Sequence, residues 1–175
     1  MKKAFTLIEL LVVIAIIGLL ASIVLVSVGG QREKAKIAKA QGDLEAITKA
    51  LRIYHVDTGS APPHDHKWDS TCENSFMSTG SFAPKPAGWS GPYLGSWPKN
   101  PWGGDYHWER WSGTDYSISV KNVPQASAQA IDDVIDDGNL SSGSVTWTIG
   151  GDNRMEYSRG EFDFPTSDTH ATTCS

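Results

Sequence analysis

Four aspartates form the densest group of potential metal ligands in the sequence: Asp132, Asp133, Asp136 and Asp137. Asn139 adds an amide oxygen two residues further on. Oxygen ligands of this kind are the ones that Ca²⁺ prefers. The aspartates fall at the C-terminal end of a predicted helix, where the helix dipole disfavours anions and some compensation is needed. The spacing is not that of an EF-hand, so a calcium site and a solvated acidic helix end are both consistent with it.

A second group of polar residues superficially resembles a metal cluster. It comprises His64, Asp65, His66, Asp69 and Cys72. Its spacing matches no recognised zinc-ligand pattern, and Pro62-Pro63 beside it indicates a loop, so we interpret the group as solvated. The sequence also lacks a serine elbow, a glycine-rich phosphate loop and a carboxylate pair with a plausible base. We therefore expect no enzymatic activity.

The charge balance and the tryptophans restrict what the protein binds. A net charge of -5 and a pI near 5.4 argue against general nucleic-acid binding, which needs a basic face to neutralise phosphates. Seven tryptophans would suit a sugar-stacking surface. More often such residues fill the core of a glycine-rich sheet domain that has few aliphatic side chains.

The two cysteines, Cys72 and Cys174, lie far apart in the chain. Because there is no C-x-x-C pair, a zinc ribbon or a thioredoxin-like redox motif is not supported. In an oxidising compartment the two would form a disulfide that ties the C-terminal tail to the middle of the polar part of the chain, the head, which follows the apolar N-terminus. In a reducing compartment they would stay free thiols.

The segment Leu10–Val28 contains no charged residue. At about 1.5 Å per residue its 19 residues span about 28 Å, close to the hydrocarbon thickness of a bilayer. The apolar run is longer than that of a secretory signal peptide, and Ser27-Val28-Gly29 is a poor cleavage site. A plain membrane anchor explains the length, but it leaves the carboxylate of Glu9 unexplained.

A short basic leader, Met1-Lys2-Lys3-Ala4, precedes Phe5, and Glu9 follows four positions later. This junction closely resembles the class III leader of type IV pilins and type II secretion pseudopilins. The resemblance implies that the leader is cut between Ala4 and Phe5, that the new amine of Phe5 is methylated, and that Glu9 is the fifth mature residue. The family usually has Gly before the cut. Alanine is a small substitute, so we expect slower or normal processing.

The resemblance also implies partners and a location. Prepilin peptidase would process the chain, which would then assemble with itself into a helical homopolymer through Phe5 and Glu9. An inner-membrane assembly platform and minor pilins would take part. The precursor would cross the cytoplasmic membrane once, and the filament would be extracytoplasmic or at the cell surface. Charge counting alone predicts the opposite orientation, since more basic residues lie on the head side. They are Arg32, Lys34, Lys36 and Lys39, against Lys2 and Lys3 in the leader.

Beyond the apolar run, apolar residues recur at spacings of three and four, as on one face of a helix. They are Ile37, Ala40, Leu44, Ile47, Leu51 and Tyr54. We predict a single helix from Phe5 to about Val56, ended by the turn residues 57–63. The chain then divides into a leader (1–4), a transmembrane and assembly helix (5–30), an amphipathic half of the same helix (31–56) and a globular head (57–175).

The head alternates between loops and short strands. Residues 64–105 indicate a long loop, whereas 106–111, 116–120, 145–149 and 155–157 are typical of strands. A short amphipathic helix is predicted over Gln125–Asp137, between Pro124 and Gly138. The fold class is therefore α+β, with a long N-terminal membrane-spanning helix packed on a small antiparallel sheet.

The loop Tyr93–Tyr106 resembles the Pro-x-x-Pro-Trp-Gly-x-x-Tyr stretch of the major pseudopilin of type II secretion. Related loops occur in pilins, so a surface pilus and a secretion pseudopilus are both open. The major pseudopilins as a family also bind calcium in the C-terminal head, so the resemblance favours the metal interpretation of the aspartates. The competing hypothesis is an unassembled membrane-anchored protein whose Trp-rich head binds sugars. Assembly requires cleavage before Phe5, whereas an anchored receptor would keep Met1.

Overall fold

The computed structural model describes residues 5–63, 77–78, 80, 85–110 and 116–158, and of residues 24–28 and Arg110 the backbone alone. Two compact units divide the chain, Met1–Lys36 and Ile37–Ser175. The elements are α1 (Leu7–Thr58), β1 (Tyr106–Arg110), β2 (Tyr116–Val120), α2 (Gln125–Ile135), β3 (Val145–Thr148) and β4 (Arg154–Tyr157).

Helix α1 is continuous over 52 residues. It passes through Gly18, Gly29, Gly30 and Gly42 without a break, which confirms the prediction of a single long helix. At its C-terminal end Gly59 takes a positive φ of 70°, and its N–H donates to the carbonyl of His55 at 2.8 Å. This left-handed cap is the conformation for which glycine is preferred. The helix therefore ends two residues later than the predicted Val56.

The four strands form one antiparallel sheet in the order β1-β2-β4-β3. The register places Trp108 opposite Ile118, and Ile118 opposite Tyr157. Together with the buried residues of α1 these side chains make the core of the second unit. From α1 the core receives Ala40, Leu44, Ile47, Ala50, Leu51 and Tyr54. The α+β class and the amphipathic stripe of the helix are confirmed.

Element boundaries differ slightly from the prediction. Strand β3 ends at Thr148, and Ile149, which was predicted to belong to it, is 79% exposed. Helix α2 ends at Ile135, so Asp136 and Asp137 lie beyond it. Trp111, predicted to end the first strand, is outside the described residues. The loop between the helix and the sheet is described only in part, from residue 85 and at a few earlier positions.

Candidate assembly segment and metal centre

Thr6 and Glu9 form a reciprocal cap at the start of α1. The Thr6 N–H and hydroxyl both donate to Glu9 Oε2, at 2.9 and 2.8 Å, and the Glu9 N–H donates to Thr6 Oγ1 at 3.3 Å. This is the capping box, in which a Thr and a Glu three residues apart satisfy otherwise unpaired backbone donors. Sequence reasoning did not assign a role to Thr6, although the T-x-x-E spacing before an apolar run is its signature.

The first turns of α1 expose apolar side chains on every side of the helix. Their exposed fractions range from 81% at Leu7 to 47% at Val13. The exposed set is Phe5 just before the helix and, within it, Leu7, Ile8, Leu10, Leu11, Val12, Val13, Ile14, Ile16, Ile17, Leu19, Leu20 and Ile23. A helix that is apolar all round is normally surrounded by apolar material. Within the described residues, however, no helix combines the length and the apolar character that crossing a membrane requires.

The acidic group converges on the end of α2. One carboxylate oxygen from each of Asp132, Asp136 and Asp137 lies within 4.8 Å of the others. Asp132 is completely buried, and neither of its carboxylate oxygens has a hydrogen-bond partner among the described residues. Loss of hydration raises the pKa of Asp132, and the charges of Asp136, Asp137 and Asp133 raise it further. A buried, unpaired carboxylate facing two others is an arrangement that a cation would neutralise.

The loop after α2 holds the two exposed aspartates in place. The Asn139 N–H donates to Asp137 Oδ1 at 2.8 Å, and the Ser144 N–H donates to Asp136 Oδ2. Gly143 has a positive φ of 89°, and its Cα packs against the Asp136 carboxylate so closely that a Cβ would overlap it. The loop therefore approaches the carboxylate with backbone alone, as a glycine permits.

Two of the predicted ligands, Asp133 and Asn139, make other contacts. Asp133 Oδ1 instead accepts a hydrogen bond from Gln129 Nε2 at 2.9 Å. Asn139 Oδ1 accepts the Ser141 N–H at 3.2 Å, which makes it a turn residue. Of the four predicted aspartates the structure thus brings together Asp132, Asp136 and Asp137. Asp133 diverges from its neighbour Asp132, because side chains at successive helix positions point in different directions.

Several predicted residues are outside the described part of the chain. These are Ala4 at the cleavage site, the group His64, Asp65, His66, Asp69 and Cys72, and the second cysteine, Cys174. The tryptophans that the structure describes serve the core. Trp97 and Trp108 are buried and donate through Nε1 to the carbonyls of Tyr106 and Pro62. Trp89, Trp102 and Trp147 pack partly buried against the same core.

Comparison with known proteins agrees with the leader and the fold. Residues 1–25 match the family described as the prokaryotic N-terminal methylation motif, and residues 32–118 match the family described as PilW, C-terminal. Type II secretion system core protein G of Aeromonas hydrophila is 35% identical over 106 residues, which are 60% of this chain and 71% of that protein. The protein of the same name from Klebsiella pneumoniae is 31% identical over 154 residues, 85% of this chain and 96% of that one.

The chain belongs to the type II secretion core protein G family. Membership confirms the resemblance that the leader and the loop Tyr93–Tyr106 indicated, and with it the class of prepilin-like proteins. These relatives of the core protein G family are named for a secretion system and not for an enzyme, which agrees with the absence of catalytic motifs from the sequence.

Proposed function

We propose that the protein is a structural subunit of a type II secretion pseudopilus rather than of a surface pilus. The observation that carries the proposal is the apolar N-terminal part of α1, exposed on all sides and capped by Thr6 and Glu9. The relatives named core protein G favour the pseudopilus, which sequence reasoning left open against a pilus.

An apolar helix surface of this extent needs a partner. A typical soluble monomer exposes contiguous apolar patches of only a few hundred Å². We infer that residues 5–30 first insert in the cytoplasmic membrane as a single-pass precursor, and that neighbouring copies of the segment replace the lipid when the extracytoplasmic filament forms. Prepilin peptidase, an inner-membrane assembly platform and minor pseudopilins are the partners that this route requires.

Processing is the first test. The assembled subunit should begin with N-methylated Phe5 and be four residues shorter than the 175-residue precursor. Mass spectrometry of sheared filaments measures both. A subunit that retains Met1, or that begins at Gln31, would contradict assembly through Phe5, and an intact Met1 would favour the anchored binding protein.

We also propose that Asp132, Asp136 and Asp137 hold a calcium ion in the head. The support is the buried carboxylate of Asp132, which lacks a hydrogen-bond partner among the described residues and faces the other two carboxylates. The ion would neutralise these charges and fix the loop that follows α2. Asp133 is not part of this proposed site, since its carboxylate lies outside the group of three. Asn139 serves the neighbouring turn, where its Oδ1 accepts the Ser141 N–H.

The cysteines give a second test of export. If the head is extracytoplasmic, Cys72 and Cys174 should form a disulfide, because such compartments keep thiols oxidised. Alkylation of the folded protein before and after reduction, followed by mass spectrometry, measures the free thiols. No label is expected before reduction and two labels after it. Two reactive thiols in folded, unreduced protein would contradict the pairing.

A further inference from the structure

Three basic residues follow the apolar part of α1 directly. Arg32 and Lys34 are exposed, and the Lys36 side chain is 42% exposed. Lys36 Nζ lies 3.6 Å from Glu33 Oε2, so the two side chains form a weak ion pair within the same turn. In the part of the chain that the structure describes, Arg32 and Lys34 have no acidic partner. Among the described residues, the short segment therefore carries two cations that form no ion pair.

The depth of the three basic residues along α1 coincides with the depth of lipid headgroups in a bilayer. At about 1.5 Å per residue, Arg32 lies about 6 Å beyond Val28 and Lys36 about 12 Å beyond it. The headgroup layer of a bilayer extends about 5–8 Å beyond the hydrocarbon on each side. Long basic side chains can lean back along the helix by several ångströms. If the apolar run that ends at Val28 lies in the hydrocarbon of the bilayer, these cationic groups lie at the depth of the lipid phosphates.

The directions in which the three basic side chains leave the helix axis distinguish a lipid partner from a protein partner. With 3.6 residues per turn, Arg32 and Lys36 are about 40° apart around the axis, and Lys34 is on roughly the opposite side. The cations thus lie on two opposite sides of the helix. An acidic surface of another protein would contact one side, whereas lipids contact all sides. Lys39, further along, is already bonded to Asp43 and to the Lys99 carbonyl.

We propose that Arg32, Lys34 and Lys36 form a basic collar that binds anionic phospholipid headgroups on the head side of the membrane. The inference rests on the membrane insertion proposed above. Phosphate oxygens would accept hydrogen bonds from the guanidinium and ammonium groups, and the collar would set the depth of α1 before the subunit leaves the bilayer. The collar also accounts for three of the four basic residues that oppose the positive-inside rule, because their role is to hold lipid.

The test uses the full chain reconstituted in phosphatidylcholine vesicles that contain spin-labelled phosphatidylglycerol or spin-labelled phosphatidylcholine. The fraction of each probe that the helix immobilises is measured by electron spin resonance. We expect phosphatidylglycerol to be preferred by up to about fivefold at each unpaired cation. In Arg32→Gln/Lys34→Gln the preference should fall towards one, as it should for the unchanged chain in high salt.

The matched control is Lys49→Gln/Arg52→Gln, which removes the same charge from exposed positions of α1 in the second unit. It leaves Lys2, Lys3 and the collar intact, so the preference should be unchanged. An equal loss in this control, or equal binding of both probes by the unchanged chain, would overturn the collar. So would a collar variant that loses filaments but keeps its lipid preference, since the partner would then be an acidic surface of a second copy. If neither probe is immobilised, membrane insertion itself is wrong, and with it the proposed function.

Discussion

Calcium should raise the melting temperature of the processed subunit in detergent by roughly 5–10 °C at a hundredfold excess over its dissociation constant. Binding at that excess adds about 2.7 kcal/mol to the free energy of unfolding, and each kcal/mol shifts the melting temperature of a chain of this size by about 2–4 °C. The physical source is Asp132, whose buried carboxylate has no hydrogen-bond partner among the described residues and lies beside two other carboxylates. Thermal unfolding with calcium and with a chelator measures the difference.

Substitutions of Asp132 and Asp136 should separate the effect of calcium binding on stability from the effect of burying the carboxylate charges. Asp136→Ala should abolish the calcium response. Asp132→Asn should abolish it as well, but should raise the melting temperature in chelator, because a neutral amide is cheaper to bury than an unpaired carboxylate. Asp133→Asn is the control, since Asp133 is outside the group of three and bonds Gln129. A full calcium response in Asp136→Ala, or no effect of chelator on the unchanged chain, would leave the solvated acidic helix end as the correct interpretation.

The parts of the fold that depend on local pattern were predictable from sequence. The spacing of Leu44, Ile47 and Leu51 identified the buried stripe of α1, and all three are at most 1% exposed. The alternation in Tyr116–Val120 identified β2 correctly. The aspartates drew attention to the end of α2. These signals are local because helix and strand periodicities are visible within one element.

The parts that depend on several elements together were not predictable. His107, Glu109, Ser117 and Ser119 alternate with the core residues of β1 and β2, yet all four are buried. Ser119 Oγ donates to Glu109 Oε2 at 2.9 Å, a contact set by the strand register. The separation of Asp136 from Asp133 likewise depends on where α2 ends, and helix ends are poorly determined by propensity alone. For that reason the sequence suggested all four aspartates, with Asn139, where the structure brings together the carboxylates of three aspartates.

Glu9→Leu should abolish or strongly reduce filament assembly while leaving membrane insertion and leader cleavage intact. After cleavage Phe5 carries a cationic amine, free or methylated. Neither that cation nor the Glu9 carboxylate can be left unpaired in apolar surroundings without a cost of several kcal/mol. The apolar contacts of Leu10–Val28 supply cohesion but little axial register, because the run is uniform. The pairing of Glu9 with the Phe5 amine of a neighbouring copy would supply the register. Electron microscopy, with immunoblots of the sheared and the cell-bound fractions, measures assembly and processing separately.

Loss of the Thr6–Glu9 helix cap is a second explanation for failed assembly of Glu9→Leu. The same experiment has to distinguish it from loss of the Glu9 charge. Both bonds from Thr6 go to Glu9 Oε2, so Oε1 can still accept the amine of a neighbour. Glu9→Gln keeps an acceptor for the cap, since Gln also serves in capping boxes, but it loses the charge. Thr6→Ala keeps the charge and the backbone bond to Glu9 but loses the two bonds of the hydroxyl, at a cost of about 1 kcal/mol. If charge sets the register, Glu9→Gln should fail to assemble as Glu9→Leu does, and Thr6→Ala should assemble better than either. Normal filaments from Glu9→Gln with none from Thr6→Ala would assign the effect to the helix cap, and normal number and symmetry from Glu9→Leu would exclude the carboxylate from assembly altogether.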